Sequence, residues 1–140
     1  MIFLDTSVLI AVAHVHHMHH APSLELWNQC TYADTFVNAH TLAEVYNVLT
    51  AMPRGYRLSP RAAADAVDVF LARVTPVELT AEEYVKAIRA ASAVGVAGGS
   101  IYDALHVACA RKVKADFIYT WNLRDFERVA PDLAGRIVRP

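Results

Sequence analysis

The sequence has 140 residues, of which 55% are hydrophobic and 19% charged, and its formal net charge is −1 at pH 7. This length fits one ordinary domain, so we expect residues 1–140 to form a single domain, and the composition excludes a disordered chain. The near-zero charge argues against coating of nucleic acid by bulk charge alone. All 13 Lys and Arg residues nevertheless lie between Arg54 and Arg139. The near-neutral net charge of the chain is therefore compatible with an acidic pocket beside a basic rim.

Cysteine usage and the N-terminus indicate the compartment. Cys30 and Cys109 are far apart and form no CxxC pair, which argues against a disulfide framework or a structural zinc site. Asp5 interrupts the apolar N-terminus, which also lacks a basic flank, so we expect no signal peptide. No apolar run reaches the roughly 18 residues of a membrane span. These features predict a cytoplasmic protein that does not enter a membrane.

The hydrophobic pattern predicts short strands separated by pairs of helices. In chain order the predicted elements are a strand at 2–4, helices at 7–14 and from Pro22, a strand at 35–37, helices at 41–52 and 60–73, a strand at 74–79, helices at 80–94 and from Ser100, and strands at 117–119 and 137–138. This order predicts an α/β fold with a mainly parallel sheet covered by helices.

Polar residues follow the predicted strands where such sheets bind ligands, at the carboxyl ends of the strands. Asp5 directly follows the first strand, residues 38–44 follow the second, and residues 120–125 follow the strand at 117–119. These segments are therefore the candidate site.

The two acids Asp5 and Glu44 in these segments, and Asp103 at the start of a predicted helix, also have a structural explanation. Asp5 precedes a helical run and is suited to capping it. Glu44 lies three residues after Thr41, and Asp103 lies three residues after Ser100, which is the spacing of a capping box. Helix capping alone therefore accounts for all three acids.

The combination of the acids favours a metal site. Two carboxylates about 5 Å apart repel by roughly 3 kcal/mol at an effective dielectric constant of 20. If Asp5, Glu44 and Asp103 meet at one sheet edge, a cation must compensate them. Oxygen ligands suit Mg²⁺ or Mn²⁺. Asp125 either completes this cluster or caps the short helix that follows it.

Four segments in this order resemble the PIN-domain family, and more narrowly the VapC-type toxins of bacterial toxin–antitoxin pairs. The segments are FLDTSVLIA, TLAEVYNVL, SIYDALHVACA and TWNLRDF, and HHMHHAP resembles a histidine-rich segment of the same toxins. The resemblance spans nearly the whole chain. It implies a Rossmann-like three-layer α/β/α sandwich and a Mg²⁺- or Mn²⁺-dependent endoribonuclease that cleaves RNA. It also implies a cognate antitoxin protein as partner and a homodimer.

The resemblance assigns the acids of the site to three positions, Asp5, Glu44 and Asp103. The fourth acidic position falls in TWNLRDF, where many relatives carry Asp and this chain carries Asn122. This departure leaves open whether Asn122 or Asp125 fills the role, and whether one metal ion binds or two. Thr6 and Thr120 match small hydroxyl positions beside the family's metal site.

Two other functions are consistent with parts of this sequence. A phosphate hydrolase of the haloacid-dehalogenase type also begins with a strand and an Asp, but it needs a second Asp two residues later, where this chain has Ser7. A catalytically weak member of the PIN fold that only binds RNA or protein is the alternative, and Asn122 keeps it open.

Several other residues have weaker functional signals. The five histidines between His14 and His20 follow no metal-binding spacing, so we interpret them as a polar helix end and loop. We expect His106 to be buried and hydrogen-bonded, and Trp121 to pack at a rim or in the core. The arginine cluster is equally suited to RNA, to an acidic partner or to ordinary surface: Arg54, Arg57 and Arg61. Three aromatic residues at helical spacing are predicted core: Trp27, Tyr46 and Phe70.

Overall fold

A computed structural model describes all residues, 1–140. The elements are β1 Ile2–Leu4, α1 Thr6–Ala13, α2 His20–Gln29, β2 Thr35–Asn38, α3 Ala39–Ala51, α4 Pro60–Leu71, β3 Thr75–Val77, α5 Ala81–Ala93, α6 Ile101–Lys112, β4 Phe117–Tyr119, α7 Leu123–Val129 and β5 Ile137–Val138. Short 3₁₀ turns at Gly98–Ser100 and Pro131–Arg136 precede α6 and β5. The predicted alternation of strands and helix pairs is confirmed.

The five strands form one sheet in the order β3-β2-β1-β4-β5, and all neighbouring strands are parallel. Successive side chains of β1 point to opposite faces of the sheet. Leu4 joins a buried cluster with α1, α2, α3 and α4, whereas Phe3 joins a second cluster with α6 and α7. Helices therefore cover both faces, and the three-layer α/β/α architecture is confirmed.

The direction of winding changes beside β1. The chain runs outward from β1 through β2 to β3 and then returns to place β4 on the other side of β1. Such a switch point opens a crevice at the carboxyl ends of the central strands. Asp5 lies at that point, and its backbone N–H donates to the Tyr119 carbonyl at 3.0 Å. The fold therefore places the first candidate acid between the ends of β1 and β4.

The predicted capping role of Glu44 is wrong. Helix α3 begins at Ala39, and its cap is Asn38, whose side-chain oxygen accepts from the His40 N–H at 3.0 Å. Thr41 therefore lies inside the helix and has no cap to share with Glu44. The Glu44 carboxylate is available for the site.

The predicted capping box at the start of α6 is also wrong. Ser100 makes no side-chain capping bond, and its hydroxyl accepts a hydrogen bond from the Arg128 guanidinium. Asp103 therefore shares no capping box with Ser100. The box formed by Thr80 and Glu83 is present, with both of its reciprocal bonds. That contrast shows that spacing alone did not distinguish the capping acids from the others.

Two further features concern the core and the surface. Trp27 and Phe70 are buried as predicted, but Tyr46 is 40% exposed, so its core assignment is wrong. Both cysteines are buried free thiols. None of the helices combines the length and apolarity needed to cross a membrane.

Candidate active site

Asp5 is the most deeply buried acid of the site, with 4% of its surface exposed. Its Oδ2 atom accepts from the Ser7 hydroxyl at 2.6 Å, the Thr120 hydroxyl at 2.9 Å and the Ser7 N–H at 3.3 Å. The last bond caps α1, so the predicted capping role is present. These donors fix the carboxylate through one oxygen, and they leave Oδ1 to face the other site residues.

The segment after β4 is tied to the same carboxylate. The Ser7 hydroxyl accepts from the Trp121 N–H at 3.1 Å, and the Thr120 hydroxyl accepts from the Asn122 N–H at 2.9 Å. Thr120 is fully buried. Thr120, one of the two hydroxyl positions expected beside the site, therefore orients Asp5, and together with Ser7, which was not predicted, it holds the β4–α7 connection against Asp5.

Glu44 points to the same crevice from α3. Its Oε2 atom accepts a hydrogen bond from the Thr6 hydroxyl and lies 3.3 Å from His106 Nε2. Burial would raise the pKa of Glu44, but the hydrogen bonds from His106 and Thr6 and the nearby charge of His106 outweigh it and lower that pKa. Glu44 is thus held as a carboxylate, and Thr6 supports it rather than Asp5.

His106 joins two of the acids. It is 2% exposed, and its Nε2 atom lies 3.7 Å from Asp5 Oδ1 as well as close to Glu44. Burial would lower the pKa of His106, but the hydrogen bond with Glu44 and the charges of Asp5 and Glu44 raise it. The expectation that His106 is buried is confirmed, and its Nε2 atom contacts Glu44, but its buried Nδ1 atom has no hydrogen-bond partner. Its position between the two acids was not predicted, although its place one turn after Asp103 was the available signal.

Asp103 approaches from the first turn of α6. Burial and the negative charge of Asp5 raise its pKa to about 6, and Asp125 adds to the rise, whereas His106 and Arg128 oppose it. A charge from a distant part of the chain thus acts strongly on this carboxyl. The structure therefore brings together Asp5, Glu44 and Asp103 from three separate elements.

The two candidates for the fourth position lie farther out. Asn122 is exposed and makes no capping bond with its side chain, although it precedes α7. The Asp125 side chain is 51% exposed and lies 3.8 Å from the Arg128 guanidinium. The alternative that Asp125 caps the following helix is wrong, because α7 already begins at Leu123. Asp125 acts on the site only through its charge.

The crevice offers oxygen donors to a divalent cation. No three His, Cys, Asp or Glu side chains converge closely enough to ligate one ion directly. Mg²⁺ needs fewer protein ligands, since it keeps several waters and takes one or two carboxylates together with substrate phosphates. Asp5 Oδ1 and the Asp103 carboxylate are such a pair of oxygen donors, and their mutual repulsion favours a cation. The residues therefore fit Mg²⁺ or Mn²⁺.

Comparison with known proteins places this arrangement in context. The sequence pattern that defines the PIN domain matches residues 2–131. The chain is 32% identical over 113 residues to ribonuclease VapC27 of Mycobacterium tuberculosis, an alignment that covers 81% of this chain and 79% of that protein.

Solved structures share the fold. VapC20 of Mycobacterium tuberculosis, a Sarcin-Ricin loop cleaving toxin, matches with a TM-score of 0.76 and 24% identity over 100% of both chains. DNA-bound VapBC from Salmonella typhimurium matches with a TM-score of 0.68 and 21% identity, over 99% of this chain and 96% of that one. At these identities the likeness concerns the architecture alone.

Proposed function

This chain belongs to the PIN domain family, and we propose that it is a VapC-type endoribonuclease that hydrolyses RNA phosphodiester bonds with Mg²⁺ or Mn²⁺. One observation carries the proposal. The charge of Asp5 adds to burial in raising the pKa of Asp103 to about 6, although the two residues lie in different elements. A fold that places two carboxylates where their charges repel gains from a cation between them.

The charge balance of the crevice supports the same conclusion. The raised pKa of His106 favours its charged ring, and its Nε2 atom faces both Asp5 and Glu44. Glu44 is kept ionised by that contact. Asp103 then has no partner of its own in the crevice, since Arg128 lies nearer the surface with Asp125. A divalent cation beside Asp103 would balance the remaining charge.

Each residue has a distinct role in the proposed reaction. A divalent ion bound here would supply positive charge to the phosphodiester and make a nearby water more acidic. Asp5 and Asp103 would hold that ion, and Ser7 and Thr120 keep Asp5 oriented. Glu44 is fixed through Oε2, and its Oε1 atom, which lies 4.0 Å from His40 Nε2, would orient the attacking water. The protein thus contributes mainly positioning and charge stabilisation.

A protein antitoxin is the proposed partner, and a homodimer is the proposed assembly. Support for the partner comes from structural neighbours solved as VapBC and FitAB complexes bound to DNA. Size-exclusion chromatography with light scattering tests both statements, with the purified chain alone and with the product of a neighbouring small open reading frame.

The dehalogenase-type alternative is not supported. The residue two positions after Asp5 is Ser7, which donates a hydrogen bond to Asp5. A serine hydroxyl does not ionise near neutral pH, so it cannot replace the carboxyl that this mechanism requires as acid and base. The binding-only alternative is decided by experiment.

The test is cleavage of a labelled RNA pool by antitoxin-free protein with Mg²⁺ or Mn²⁺. EDTA and the Asp103→Asn variant are the negative controls, and Asp68→Asn, a substitution of an exposed Asp on α4, is the matched control. We expect cuts that need the metal, persist in Asp68→Asn and vanish in Asp103→Asn. Folded protein that cuts no RNA would favour the binding-only alternative. Cuts that survive in Asp103→Asn would contradict the assigned site.

A further inference from the structure

Aromatic rings between the end of α1 and the candidate active site form two groups of contacts, one of Tyr56, His14 and His16 and the other of His17, His19 and Trp121. We call these six residues the aromatic strip, since His16 and His17, which are adjacent in the sequence, join the two groups. The ring centroids of His14 and Tyr56 are 5.5 Å apart, and those of His14 and His16 are 6.0 Å apart. His17 and His19 are separated by 5.6 Å. His19 stacks on Trp121 at 3.8 Å with an interplanar angle of 5°.

The inner end of the strip is attached to Asp5. The Trp121 N–H donates to the Ser7 hydroxyl, which in turn donates to Asp5 Oδ2. The Trp121 indole is fixed separately by a hydrogen bond to the buried Ser23 hydroxyl at 2.9 Å. The ring nearest the site is therefore held in place by two hydrogen bonds. A polymer lying on the strip would pass beside the carboxylates.

The outer end lies where α1 ends, at His14. An α-helix of eight residues is about 12 Å long, which corresponds to about three or four stacked bases. Several rings there are open to solvent, since Tyr56 is 53% exposed and His16 is also exposed. The strip thus has both the length and the accessibility to receive several bases.

Unpaired positive charge flanks the outer rings. Arg54 and Arg57 lie on either side of Tyr56, are exposed and take part in none of the ion pairs of the structure. No Asp or Glu occurs between residues 53 and 61, or between residues 14 and 24. Burial and the neighbouring histidines lower the pKa of His17, which favours its uncharged ring. Arg54 and Arg57 contribute permanent positive charge beside the rings.

We propose that the aromatic strip binds single-stranded RNA next to the cleaved phosphodiester, with the rings stacking on bases and with Arg54 and Arg57 contacting phosphates. This inference rests on the proposed ribonuclease function. Aromatic platforms beside a cationic surface are the means by which proteins hold single strands. An acidic protein partner would need the arginines but would gain little from a row of flat rings. The observations therefore favour RNA as the occupant.

The test compares binding of two fluorescent probes, with EDTA present to prevent cleavage. One is a random-sequence RNA pool of roughly a dozen nucleotides, and the other is an abasic backbone of the same length. The double variant His14→Ala/Tyr56→Ala removes the outer ring pair, and Tyr56→Phe retains the ring. His19 is left intact, because its removal would uncover the Trp121 indole as a new stacking surface.

Matched controls carry the same kinds of change elsewhere. Tyr32→Ala, in the loop before β2, and Arg89→Ala, on α5, both replace exposed side chains away from the strip. Thermal unfolding of every variant confirms that it is folded. Wild-type cleavage of an RNA pool with Mg²⁺ is measured first, so that a failure of the proposed function is recognised separately.

We expect wild-type protein to bind the RNA pool at least about fivefold more tightly than the abasic probe. His14→Ala/Tyr56→Ala should lose that preference, whereas Tyr56→Phe and both controls should keep it. Arg57→Ala should weaken binding of both probes and reduce the salt dependence by about one charge. Equal affinity of wild type and His14→Ala/Tyr56→Ala for the RNA pool, in a protein that cleaves RNA, overturns the inference. If the double variant keeps its RNA affinity but no longer binds an antitoxin partner, the inference is also overturned, since the strip would then be a protein-docking surface.

Discussion

Replacement of Asp103 by Asn should stabilise the metal-free protein while abolishing its proposed activity. Burial and the charge of Asp5 raise the pKa of Asp103 from its ordinary value of 3.8 to about 6. At about 1.4 kcal/mol per pH unit this rise corresponds to at most about 3 kcal/mol of destabilisation when Asp103 is ionised. Solvent screens a half-buried carboxyl, so we expect about 1–2 kcal/mol at pH 7.5.

The stability difference between wild type and Asp103→Asn should depend on pH. A carboxyl whose pKa is raised by folding favours the folded state below pH 3.8, and that contribution is lost as the pH rises through about 6. The stability advantage of Asp103→Asn should therefore be small at pH 4 and reach its full size above pH 6.

The assay is urea or thermal unfolding in EDTA from pH 4 to pH 7.5. A gain of 1–2 kcal/mol corresponds to roughly 3–8 °C in Tm for a chain of this length. Asp68→Asn, on the exposed side of α4, is the matched control and should change Tm little. An Asp103→Asn variant that is no more stable than wild type at pH 7.5 would refute the repulsion between Asp5 and Asp103.

Three further predictions concern the surroundings of the acids. Thr120→Val removes a hydrogen-bond donor to buried Asp5 and should lower the free energy of unfolding in urea by about 1–3 kcal/mol. The same change at exposed Thr80 removes only a helix cap and should cost about 1 kcal/mol, so equal costs would argue against the buried bond. His106→Ala leaves Asp5 and Glu44 without their basic partner and should lower the free energy of unfolding by roughly 3–5 kcal/mol at pH 6. Because folding raises the pKa of His106, this cost should shrink as the pH rises through the pKa of the folded protein, and a pH-independent cost would show a packing effect alone. In differential scanning fluorimetry, Mg²⁺ should raise the Tm of the wild-type protein but not that of Asp103→Asn. An equal rise in both proteins would place the ion elsewhere.

The sheet and the location of the site could be predicted because they depend on local signals. Short apolar runs bounded by polar residues indicate the strands, and parallel strands bring their carboxyl ends to one edge. Asp5 and Thr120 both directly follow such runs, and they do meet, with a hydrogen bond of 2.9 Å. The spacing of Glu44 and Asp103 allows either helix capping or a metal site, and the resemblance to a known family favours the metal site.

The contacts of the acids could not be predicted, because they join distant segments. Glu44 is spaced as a capping residue, yet its partner is Thr6, which is 38 residues away in the sequence. Helix α3 begins before Thr41 because Asn38, at the end of β2, supplies the cap. Ser100 is likewise taken by Arg128, 28 residues away. No local spacing rule includes such partners.

The exposed position of Tyr46 has a similar origin. Only one stripe of α3 faces the core, and it contains Thr41, Val45 and Leu49 at intervals of four residues. Tyr46 lies one residue beyond that stripe and is rotated by about 100° from Val45, so it faces solvent. An aromatic side chain at approximate helical spacing was a poor guide, since the narrow stripe is set by the packing of α3 against its neighbours.

Binding of Mn²⁺, measured by isothermal titration calorimetry, tests most directly the claim that paired carboxylates at the sheet edge hold the cation. The comparison uses wild type, Asp103→Asn and the matched Asp68→Asn variant, all without RNA. The structure predicts that wild type and Asp68→Asn bind Mn²⁺ alike and that Asp103→Asn binds at least about tenfold more weakly, because the variant removes one of two charged oxygen ligands. Equal Mn²⁺ affinity in wild type and Asp103→Asn would contradict the assignment of the metal to Asp5 and Asp103.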